Sequence, residues 1–395
     1  MWHNKKPPPD NSGGKGDTGM NRKELGEIRR RIKPEGSSIT HIYGCYVNGN
    51  REIISYIDES LGLLTREETE KYLALLKNTL SGALGKNLLD LSFATKQVMD
   101  SDEHRLLSAL RKSELGDAEL REAFFKCVID ALDLEDSNYL ILLAHDAYDV
   151  PHRGKDGLRE DTGEVFKYIL CCVCPVKTGK SELGYCPEEK RFHRAEASQT
   201  VAAPELGFMF PSFDERSANI YNALFYSRNT SEIHQGFIDA VFRTQAPMSA
   251  GRQRESFGEA LGEATEKGCS FQVVQAVHEQ LRERIEQHRE SRDPEPLTVS
   301  PGELDSVLES SGLTPGQIDA FHTKCAAEFG EDARLSPANI IDSRRLEIDT
   351  PEVRVTVDPK YGYLVQTRVI DGKKYILIAA DSGVEVNGIG VTIDE

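Results

Sequence analysis

The amino-acid sequence predicts an α+β fold: a mixed sheet core with several helices, a helical linker region and a small C-terminal antiparallel β-module. The predicted elements run as a hairpin, then helices, then several strands, which differs from the regular strand–helix alternation of a doubly wound fold. The apolar runs 139–144 and 168–176 are too short to span a membrane and are typical of buried strands. Residues 346–395 combine alternating apolar positions with tight-turn dipeptides, which indicates antiparallel hairpins.

Length and composition divide the chain into segments. Its 395 residues are enough for two or three domains, and 38% hydrophobic and 29% charged residues are ordinary for a soluble globular protein. The first nineteen residues are rich in Pro, Gly and Lys and lack the apolar centre of a secretion signal, so we expect a disordered tail. The predicted segments are the tail 1–19, an α+β core domain 20–249, a helix and linker 250–297, short helices 298–345 and the β-module 346–395.

Local signals place the elements of the first part of the chain. An Asn-Gly pair between two apolar segments is a hairpin signal, and Thr followed three residues later by Glu is the capping box that opens a helix. The predicted elements are a basic amphipathic helix within 20–33, a hairpin of strands 39–47 and 51–57, a helix from Thr65 to about Leu80, and a helical stretch continuing to about residue 133.

The same signals apply to the rest of the chain. Short apolar runs predict strands, and a hydroxyl residue followed by proline predicts a helix start. Asp-Gly and Asn-Gly pairs again predict tight turns. The predicted elements are strands near 139–144, 165–176, 191–193, 200–203, 207–210 and 220–226, a loop or weak helix at 250–267, a helix at 271–287, helices opening at Ser300 and Thr314, a strand at 353–357, and hairpins around Asp371-Gly372 and Asn387-Gly388.

The charge balance restricts the class of partner. The formal net charge of −17 argues against duplex DNA or an anionic membrane surface as the main partner, because both require a basic footprint. Residues 1–33 differ from this average, since they contain nine Lys or Arg against four Asp or Glu. A basic N-terminal arm is therefore compatible with an acidic protein partner or with RNA, although a solvated helix face explains the same charges. The residues that would contact RNA are Arg22, Arg29, Arg30 and Arg31.

The cysteines predict the cellular compartment and offer one candidate metal site. Eight cysteines without a secretion signal indicate reduced thiols in a cytoplasm. Cys171 and Cys174 have C-x-x-C spacing, and the further ligands available for a zinc ion are Cys186 and His193. However, consecutive residues of a strand alternate between its two faces, so Cys171 and Cys174 would point to opposite sides. The pattern therefore favours cysteines that pack as small hydrophobic residues.

The sharpest candidate for chemistry follows the apolar run 139–144. His145, Asp146, Asp149 and His152 supply two imidazoles and two carboxylates, which could bind a divalent metal or provide a general base with an orienting acid. Their spacing matches no established metal signature. The structural alternative, which we favour, is a polar turn capped by aspartates and ended by Pro151.

A candidate binding surface lies within residues 208–228. Aromatic residues there alternate with charged and amide side chains, as in a pocket for a small ligand or peptide. Aromatic residues at strand spacing are more often part of a core, so both interpretations remain open. The residues of this candidate surface are Phe210, Phe213, Asp214, Arg216, Tyr221 and Arg228.

Several stretches together carry a family resemblance. They are MNRKELGEIRRRIKPEGSSITHIYGCYVNGN, TLSGALGKNLLDLSF, YLILLAHDAYDVP, YILCCVCPV, FMFPSFDERSANIYNALFYSRN and RVIDGKKYILIAADSGVEVNGI. From about residue 20 to its end, the chain resembles an uncharacterised bacterial family known only as a domain of unknown function. The resemblance implies a bacterial intracellular protein in which residues 1–19 are an appendage, and it implies no activity, ligand or catalytic residue.

Three functional hypotheses follow from these observations. The leading one is a non-enzymatic binding or assembly module, because no catalytic motif is complete and the small β-module needs a surface to dock on. The second is a metal-dependent hydrolase of phosphorylated substrates that uses the segment from His145 to His152. The third is an RNA- or ribosome-associated factor that uses the basic N-terminal helix. No cofactor is firmly implied, and the expected partner is another protein.

Overall fold

The structure is a computed structural model. It describes residues 19–134, 137–153, 159–160, 165–179, 183–188, 190–194, 198–265, 269–291, 293, 295–380 and 383–392. These residues form two compact units, Met1–Ser249 and Ala250–Glu395. The finer division of the second unit into 250–297, 298–345 and 346–395 stays a prediction.

The first unit begins with a helix and a β-hairpin and is dominated by strands in its second half. Its elements are α1 (Arg22–Arg31), β1 (His41–Val47), β2 (Ile53–Ser60), α2 (Arg66–Asn78), β3 (Leu88–Ser92), α3 (Thr95–Asp100), α4 (Asp102–Lys112), α5 (Ala118–Ala131), β4 (Tyr139–Asp149), β5 (His152–Arg153), β6 (Arg159–Glu160), β7 (Val165–Thr178), β8 (Leu183–Cys186), β9 (Arg191–Arg194), β10 (Gln199–Val201), β11 (Leu206–Phe210), β12 (Ser212–Asp214), β13 (Ser217–Asn219), β14 (Asn222–Ser227) and α6 (Gln235–Val241).

One antiparallel sheet organises this unit. Its strand order is β2-β1-β4-β7-β11-β14-β3, and β10 adds to β7 beside this path. Helices cover both faces: α4, α5 and α6 contribute to the core on one face, and α1 and α2 contribute to the core on the other. We call these the α5 face and the α1 face. The sheet is antiparallel, and strands and helices do not alternate regularly along the chain, which confirms the predicted α+β class.

Burial on both faces explains the continuous apolar runs of the central strands. In β4, Ile141 and Leu143 pack on the α5 face, whereas Leu140 and Leu142 pack on the α1 face. Strand β7, which lies beside β4, divides its side chains between the faces in the same way. Strands covered on both sides need no polar alternation, and this is why the two strands are recognisable in the sequence as uninterrupted apolar segments.

Side-chain caps fix the starts of several helices of the first unit. Asn21 and Glu24 form a reciprocal capping box at α1, and Thr65 forms one with Glu68 at α2. Asp117 accepts hydrogen bonds from the first backbone N–H groups of α5. Each cap satisfies N–H groups that have no partner within the helix, so the helix ends are set by local sequence.

The segment between α2 and α4 differs from the sequence prediction. The continuous helical stretch expected up to about residue 133 is wrong, because β3 interrupts it and forms the edge of the sheet next to β14. In the turn before β3, Gly82 and Gly85 have φ angles of +96° and +72°. A left-handed backbone at these positions favours glycine, so the chain turns here into a strand.

The second unit combines a helical core with β-hairpins. Its elements are α7 (Ala250–Glu263), α8 (Phe271–Ser291), a 3-10 helix (Pro301–Leu304), α9 (Asp305–Ser310), α10 (Pro315–Phe329), α11 (Pro337–Ile340), β15 (Leu346–Asp349), β16 (Arg354–Val357), a second 3-10 helix (Pro359–Leu364), β17 (Val365–Ile370), β18 (Lys373–Ile378), β19 (Glu385–Val386) and β20 (Ile389–Gly390). Apolar side chains of α7, α8 and α10, among them Phe257, Leu281 and Phe321, form its core.

The predicted C-terminal hairpins are confirmed, and they form separate two-stranded sheets. Strand β15 pairs with β16, β17 with β18, and β19 with β20. The turns Asp371-Gly372 and Asn387-Gly388 have positive φ at both residues. This is the backbone of a type I′ turn, whose twist matches that of the two strands it joins.

Candidate functional site

The residues of the His145–His152 segment do not converge on one point. His145 and Asp146 are consecutive residues of β4, so their side chains leave opposite faces of the sheet. Asp149 is the exposed last residue of the strand. His152 lies on β5, and its side chain is outside the described part of the structure. The two imidazoles and two carboxylates therefore do not surround a single space as far as they are described.

Asp146 is completely buried on the α1 face and is held by several donors. Its Oδ1 accepts hydrogen bonds from the backbone N–H and the hydroxyl of Ser38, both at 2.7 Å, and from the N–H of Ala147 at 3.0 Å. Its Oδ2 accepts from the hydroxyl of Tyr168 at 2.6 Å and lies 3.8 Å from a guanidinium nitrogen of Arg31. Both oxygens are engaged by the protein itself, as a buried carboxylate requires.

Tyr168 is the cross-strand neighbour of Asp146. The two residues stand directly opposite each other in the β4–β7 pair, which explains why the hydroxyl reaches the carboxylate. Burial, together with the negative charge of Asp146, raises the pKa of Tyr168 well above its usual value. The phenol therefore stays protonated and acts as a hydrogen-bond donor.

His145 points to the α5 face and has a different environment. Burial lowers its pKa, so the neutral imidazole is favoured. Its Nε2 atom is buried and has no hydrogen-bond partner among the described residues. A neutral ring could in principle ligate a metal, but the described residues contain no group of three or more His, Cys, Asp or Glu side chains suited to hold one.

A second set of contacts joins α1 to the β12–β13 hairpin. Two guanidinium nitrogens of Arg216 donate to the two oxygens of Glu27 at 2.9 and 3.2 Å, and the backbone N–H of Arg216 donates to Glu24 at 3.2 Å. The hydroxyl of Tyr148, on β4, also donates to Glu27. Burial alone would raise the pKa of Glu27, but the hydrogen bonds from Arg216 and Tyr148 hold it below its usual value. Glu27 is therefore ionised, and it links α1 both to Arg216 on the β12–β13 hairpin and to Tyr148 on β4.

The turn that presents Arg216 has an unusual backbone. Glu215 and Arg216 have φ angles of +46° and +62°, in the left-handed region that side-chain-bearing residues rarely adopt. Such a conformation costs about 1 kcal/mol or more per residue and persists where surrounding contacts enforce it. The contacts of Arg216 with Glu24 and Glu27 are of this kind. These contacts account for the position of Arg216, while the binding surface predicted for this segment stays a prediction.

These two sets of residues form one polar cluster around α1. We call it the α1 cluster, and its members are Glu24, Glu27, Arg31, Ser38, Asp146, Tyr148, Tyr168 and Arg216. Arg31 contributes twice, because its guanidinium also stacks 4.1 Å from the centre of the Tyr148 ring and donates to the backbone oxygen of Ala147. The members pair with one another across α1, β4, β7 and the β12–β13 hairpin, so the cluster attaches α1 to the sheet.

The basic residues of α1 are accordingly not equivalent. Arg31 is engaged in the α1 cluster, and Arg29 is half-buried. Arg22 and Arg30 are exposed at the surface of the helix. The basic face available to a partner is thus narrower than the sequence suggests.

The cysteines of β7 behave as core residues. Cys171 packs on the α5 face, whereas Cys172 and Cys174 pack on the α1 face with their sulfur atoms 3.8 Å apart. Cys171 and Cys174 therefore lie on opposite sides of the sheet. Burial raises the pKa of Cys171 well above its usual value, which disfavours the thiolate that metals and oxidants need. Cys186 and His193 lie on the β8–β9 hairpin, and their side chains are outside the described residues.

The residues of the candidate aromatic surface are also divided. Phe210 is buried on the α5 face and Phe213 on the α1 face, so neither lines an open pocket. Asp214 is buried and accepts a hydrogen bond from the side chain of Asn219 at 3.2 Å. Tyr221 is half-buried, and exposed Arg228 lies 3.8 Å from Glu205.

The hairpin of β17 and β18, which we call the C-terminal hairpin, exposes several apolar side chains of the second unit. The side chains of Val369 and Ile378 are 69% and 53% exposed, and those of Tyr375 and Ile376 are about 40% exposed. Cross-strand pairs share a face, and apolar side chains lie on both faces of this hairpin. Contiguous exposed apolar surface on a folded protein marks an interaction site more often than a solvated face.

A cleft of about 960 Å³ in the second unit was not found from the sequence. It is lined by the 3-10 helix at Ser300 and by one side of α10, including His322. The Nε2 atom of His322 lies 2.8 Å from a carboxylate oxygen of Asp305. The two residues are 17 positions apart in the sequence and belong to no motif that we recognise. The pair becomes visible only when α9 packs against α10.

The fold and these sites define a class: an α+β protein with a polar cluster whose members pair with one another and an exposed, apolar C-terminal hairpin. The chain belongs to the family described as Domain of unknown function (DUF4317), whose model matches residues 20–389. This confirms the resemblance seen in the sequence. No curated protein matches the chain. Among the described residues, no helix combines the length and the apolar character that crossing a bilayer demands.

Proposed function

We propose that this protein is a non-enzymatic binding or assembly module of the bacterial cytoplasm, and that the C-terminal hairpin carries its partner site. The observation that carries the proposal is the exposure of aliphatic and aromatic side chains on both faces of the hairpin. A two-stranded hairpin is marginally stable alone in water, and burying its apolar face against another surface stabilises it.

The contacts of the α1 cluster support a structural role for Asp146, one of the four residues that the sequence offered as catalytic. Asp146 accepts hydrogen bonds on both oxygens, and His145 lies on the other face of the sheet. A hydrolase that used His145, Asp146, Asp149 and His152 would need them around one substrate, and no observed contact among the described side chains favours that arrangement. The same holds for a zinc site built on Cys171 and Cys174.

The free thiols support the proposed compartment. Cys45, Cys171, Cys172, Cys174 and Cys325 are buried and unpaired, and burial raises the pKa of Cys45 and Cys325 to about 12. Buried reduced thiols are typical of proteins in a reducing cytoplasm.

Partner capture tests the proposal. Tagged wild-type protein and the double variant Ile376→Lys/Ile378→Lys are each expressed in bacteria together with a differently tagged copy of the same chain. All co-purifying chains, including that second copy, are quantified by mass spectrometry. We expect wild type to retain a stoichiometric partner that the variant loses. Met99→Lys is the matched control, because Met99 is an 80% exposed apolar side chain on α3, outside the hairpin.

The same preparations test the enzymatic alternative. Protein purified without chelator is analysed for bound metal by mass spectrometry, for wild type and for His145→Ala. Metal at one equivalent that is lost in His145→Ala, or a wild-type partner set identical to that of the hairpin variant, overturns the proposal.

A further inference from the structure

We propose that the C-terminal hairpin pairs with strand β2 of a second copy of this chain, so that β18 extends the edge of the other copy's sheet. This inference rests on the proposed function, because it identifies the partner of the same hairpin. The partner is recognised by backbone hydrogen bonds along a strand edge together with a matched set of charges.

Strand β2 is an open edge of the large sheet. It lies at the end of the strand order, and within the described residues it pairs only with β1. Ile54 and Tyr56 are 53% and 57% exposed. A long edge strand with exposed apolar side chains is a template for pairing with another strand, and proteins usually shorten or cover such edges. The opposite edge, β3, is only five residues long.

The sequences of β2 and β18 are complementary when the strands run antiparallel. β2 carries two carboxylates after its apolar residues, whereas β18 carries two lysines before its own. One register brings acid to base and apolar to apolar along both faces. The pairs in this register are Glu59 with Lys373, Asp58 with Lys374, Ile57 with Tyr375, and Tyr56 with Ile376.

The hydrogen-bonding phase of both strands agrees with this register. The N–H of Leu61 donates to Thr40 of the neighbouring segment, so by alternation Asp58 and Tyr56 direct their backbone groups away from β1. In the C-terminal hairpin, the N–H of Ala379 donates to Leu364, so Ile376 and Lys374 direct theirs away from β17. The backbone groups that point outward therefore belong to residues that oppose each other in the proposed pair.

The four charges are available for this contact. Within the described residues, no salt bridge engages Asp58, Glu59, Lys373 or Lys374. Opposite charges at a strand edge select register and orientation, since a shifted pairing would place them against apolar residues.

A bulge in β2 limits the length of the pairing. The β1–β2 register shifts between Tyr46 and Val47, so regular pairing ends near Ile54. A contact this short is weak alone. Each copy carries one hairpin and one β2 edge, so each copy can both donate a strand and accept one.

The first experiment is a charge exchange read by light scattering after size-exclusion chromatography. We expect the full chain to show a concentration-dependent mass of at least two copies. Lys373→Glu/Lys374→Glu should weaken self-association at least about tenfold, and so should Asp58→Lys/Glu59→Lys, because two favourable pairs become like-charge pairs. The four-residue exchange in one chain should restore association. A monomeric wild type at all concentrations, or four-residue exchange without recovery, overturns the inference.

The second experiment fixes the register. One tagged chain carries Tyr56→Cys and a differently tagged chain carries Ile376→Cys, so a disulfide between the new cysteines can only join two copies. Directly opposed strand residues are within reach of a disulfide. We expect oxidation to link this mixture, and to leave unlinked a mixture in which Tyr375→Cys replaces Ile376→Cys, since Tyr375 faces the other side of the hairpin. Equal linkage of both mixtures contradicts the register.

Failure of this inference is distinguishable from failure of the proposed function. If the wild-type chain is monomeric but Ile376→Lys/Ile378→Lys still loses a co-purifying protein, the hairpin binds a different protein and only the self-pairing is wrong. If neither self-association nor partner loss occurs, both proposals are wrong.

Discussion

Strands β4 and β18 contain similar apolar residues but occupy opposite environments. Leu140–Ala144 of β4 are all buried, whereas Ile376 and Ile378 of β18 are exposed. The difference lies in the neighbours, because β4 has hydrogen-bonded strands on both sides and helices on both faces, and β18 pairs only with β17 among the described residues. Apolar character thus predicts where a strand forms, while its neighbours decide whether it belongs to the core or to a binding surface.

The polar residues of β4 and β18 also differ in whether they have partners within the described part of the chain. In β4, Asp146 has its hydrogen-bonding capacity filled by Ser38, Ala147 and Tyr168. In β18, Lys373 and Lys374 have no ion-pair partner in the described part of the chain. Satisfied polar groups stabilise the fold that contains them, whereas unpaired charges beside an apolar surface remain free to select a partner.

The largest expected effect is on the buried side of this comparison. Asp146→Ala removes the acceptor of Tyr168 and Ser38 and leaves Arg31 beside an uncompensated space. We expect a loss of about 3–5 kcal/mol in the free energy of unfolding, the usual cost of removing one member of a buried charged network. Chemical denaturation followed by circular dichroism measures it. Asp149→Ala, at the exposed end of the same strand, should change stability by less than about 0.5 kcal/mol.

A similar small loss for both variants would contradict the structural role of Asp146. Asp146 would then not be needed for folding and would be available as a catalytic residue, as the hydrolase hypothesis requires. This pair of variants therefore separates the two interpretations of one motif on one strand.

The sequence identifies β4 and β7 because their apolar runs are continuous, and it identifies the hairpins at Asp371-Gly372 and Asn387-Gly388 because a type I′ turn is a local property. It does not identify β3, whose five residues contain no turn signal and gain strand structure only by pairing with β14. The strand order depends on long-range pairing among similar apolar segments, and nothing local distinguishes the possible neighbours.

The α1 cluster shows the same limit for sites. The sequence draws attention to His145 and Asp146 as neighbours, but strand geometry separates them, and the true partners of Asp146 lie 108 and 22 positions away at Ser38 and Tyr168. Glu27 and Arg216 are 189 positions apart. Pairing at such separations follows from the fold, so a list of chemically capable residues does not reveal it.

The second prediction concerns the partly exposed half of the α1 cluster. Arg216 and Glu27 form a two-pronged ion pair whose side chains are 39% and 23% exposed, so solvent weakens it relative to the Asp146 contacts. A double-mutant cycle with Arg216→Met and Glu27→Gln should give a coupling energy of about 0.5–2 kcal/mol in urea unfolding. The cycle of Arg66→Met with Glu70→Gln, an exposed ion pair on α2, is the control and should give less. Equal coupling in both cycles would mean that Glu27 does not anchor α1.

The third prediction is a loss of stability in mild acid. Burial lowers the pKa of His104 and of His145, so in the folded protein each binds a proton less readily than in the unfolded chain. Stability should fall as the pH drops below about 6.5, the usual histidine value, by at most about 1.4 kcal/mol per pH unit for each group. His104→Gln and His145→Gln should flatten the dependence of the unfolding free energy on pH. His41→Gln, at an exposed position, should leave it unchanged.

The smallest expected effect is on the exposed side of the comparison. Ile376→Ala should lower the unfolding free energy of dilute protein by only about 1 kcal/mol, because about 40% of the residue is already exposed and only the covered part is lost. Ile141→Ala, at a fully buried position of β4, should cost about 2–5 kcal/mol. A different outcome is expected at high protein concentration, since self-association stabilises the folded state by mass action. There the melting temperature of wild type should rise with concentration, and that of Ile376→Ala should not. If the two proteins rise together, Ile376 lies outside whatever contact forms, and the hairpin is an exposed surface without a partner in a second copy.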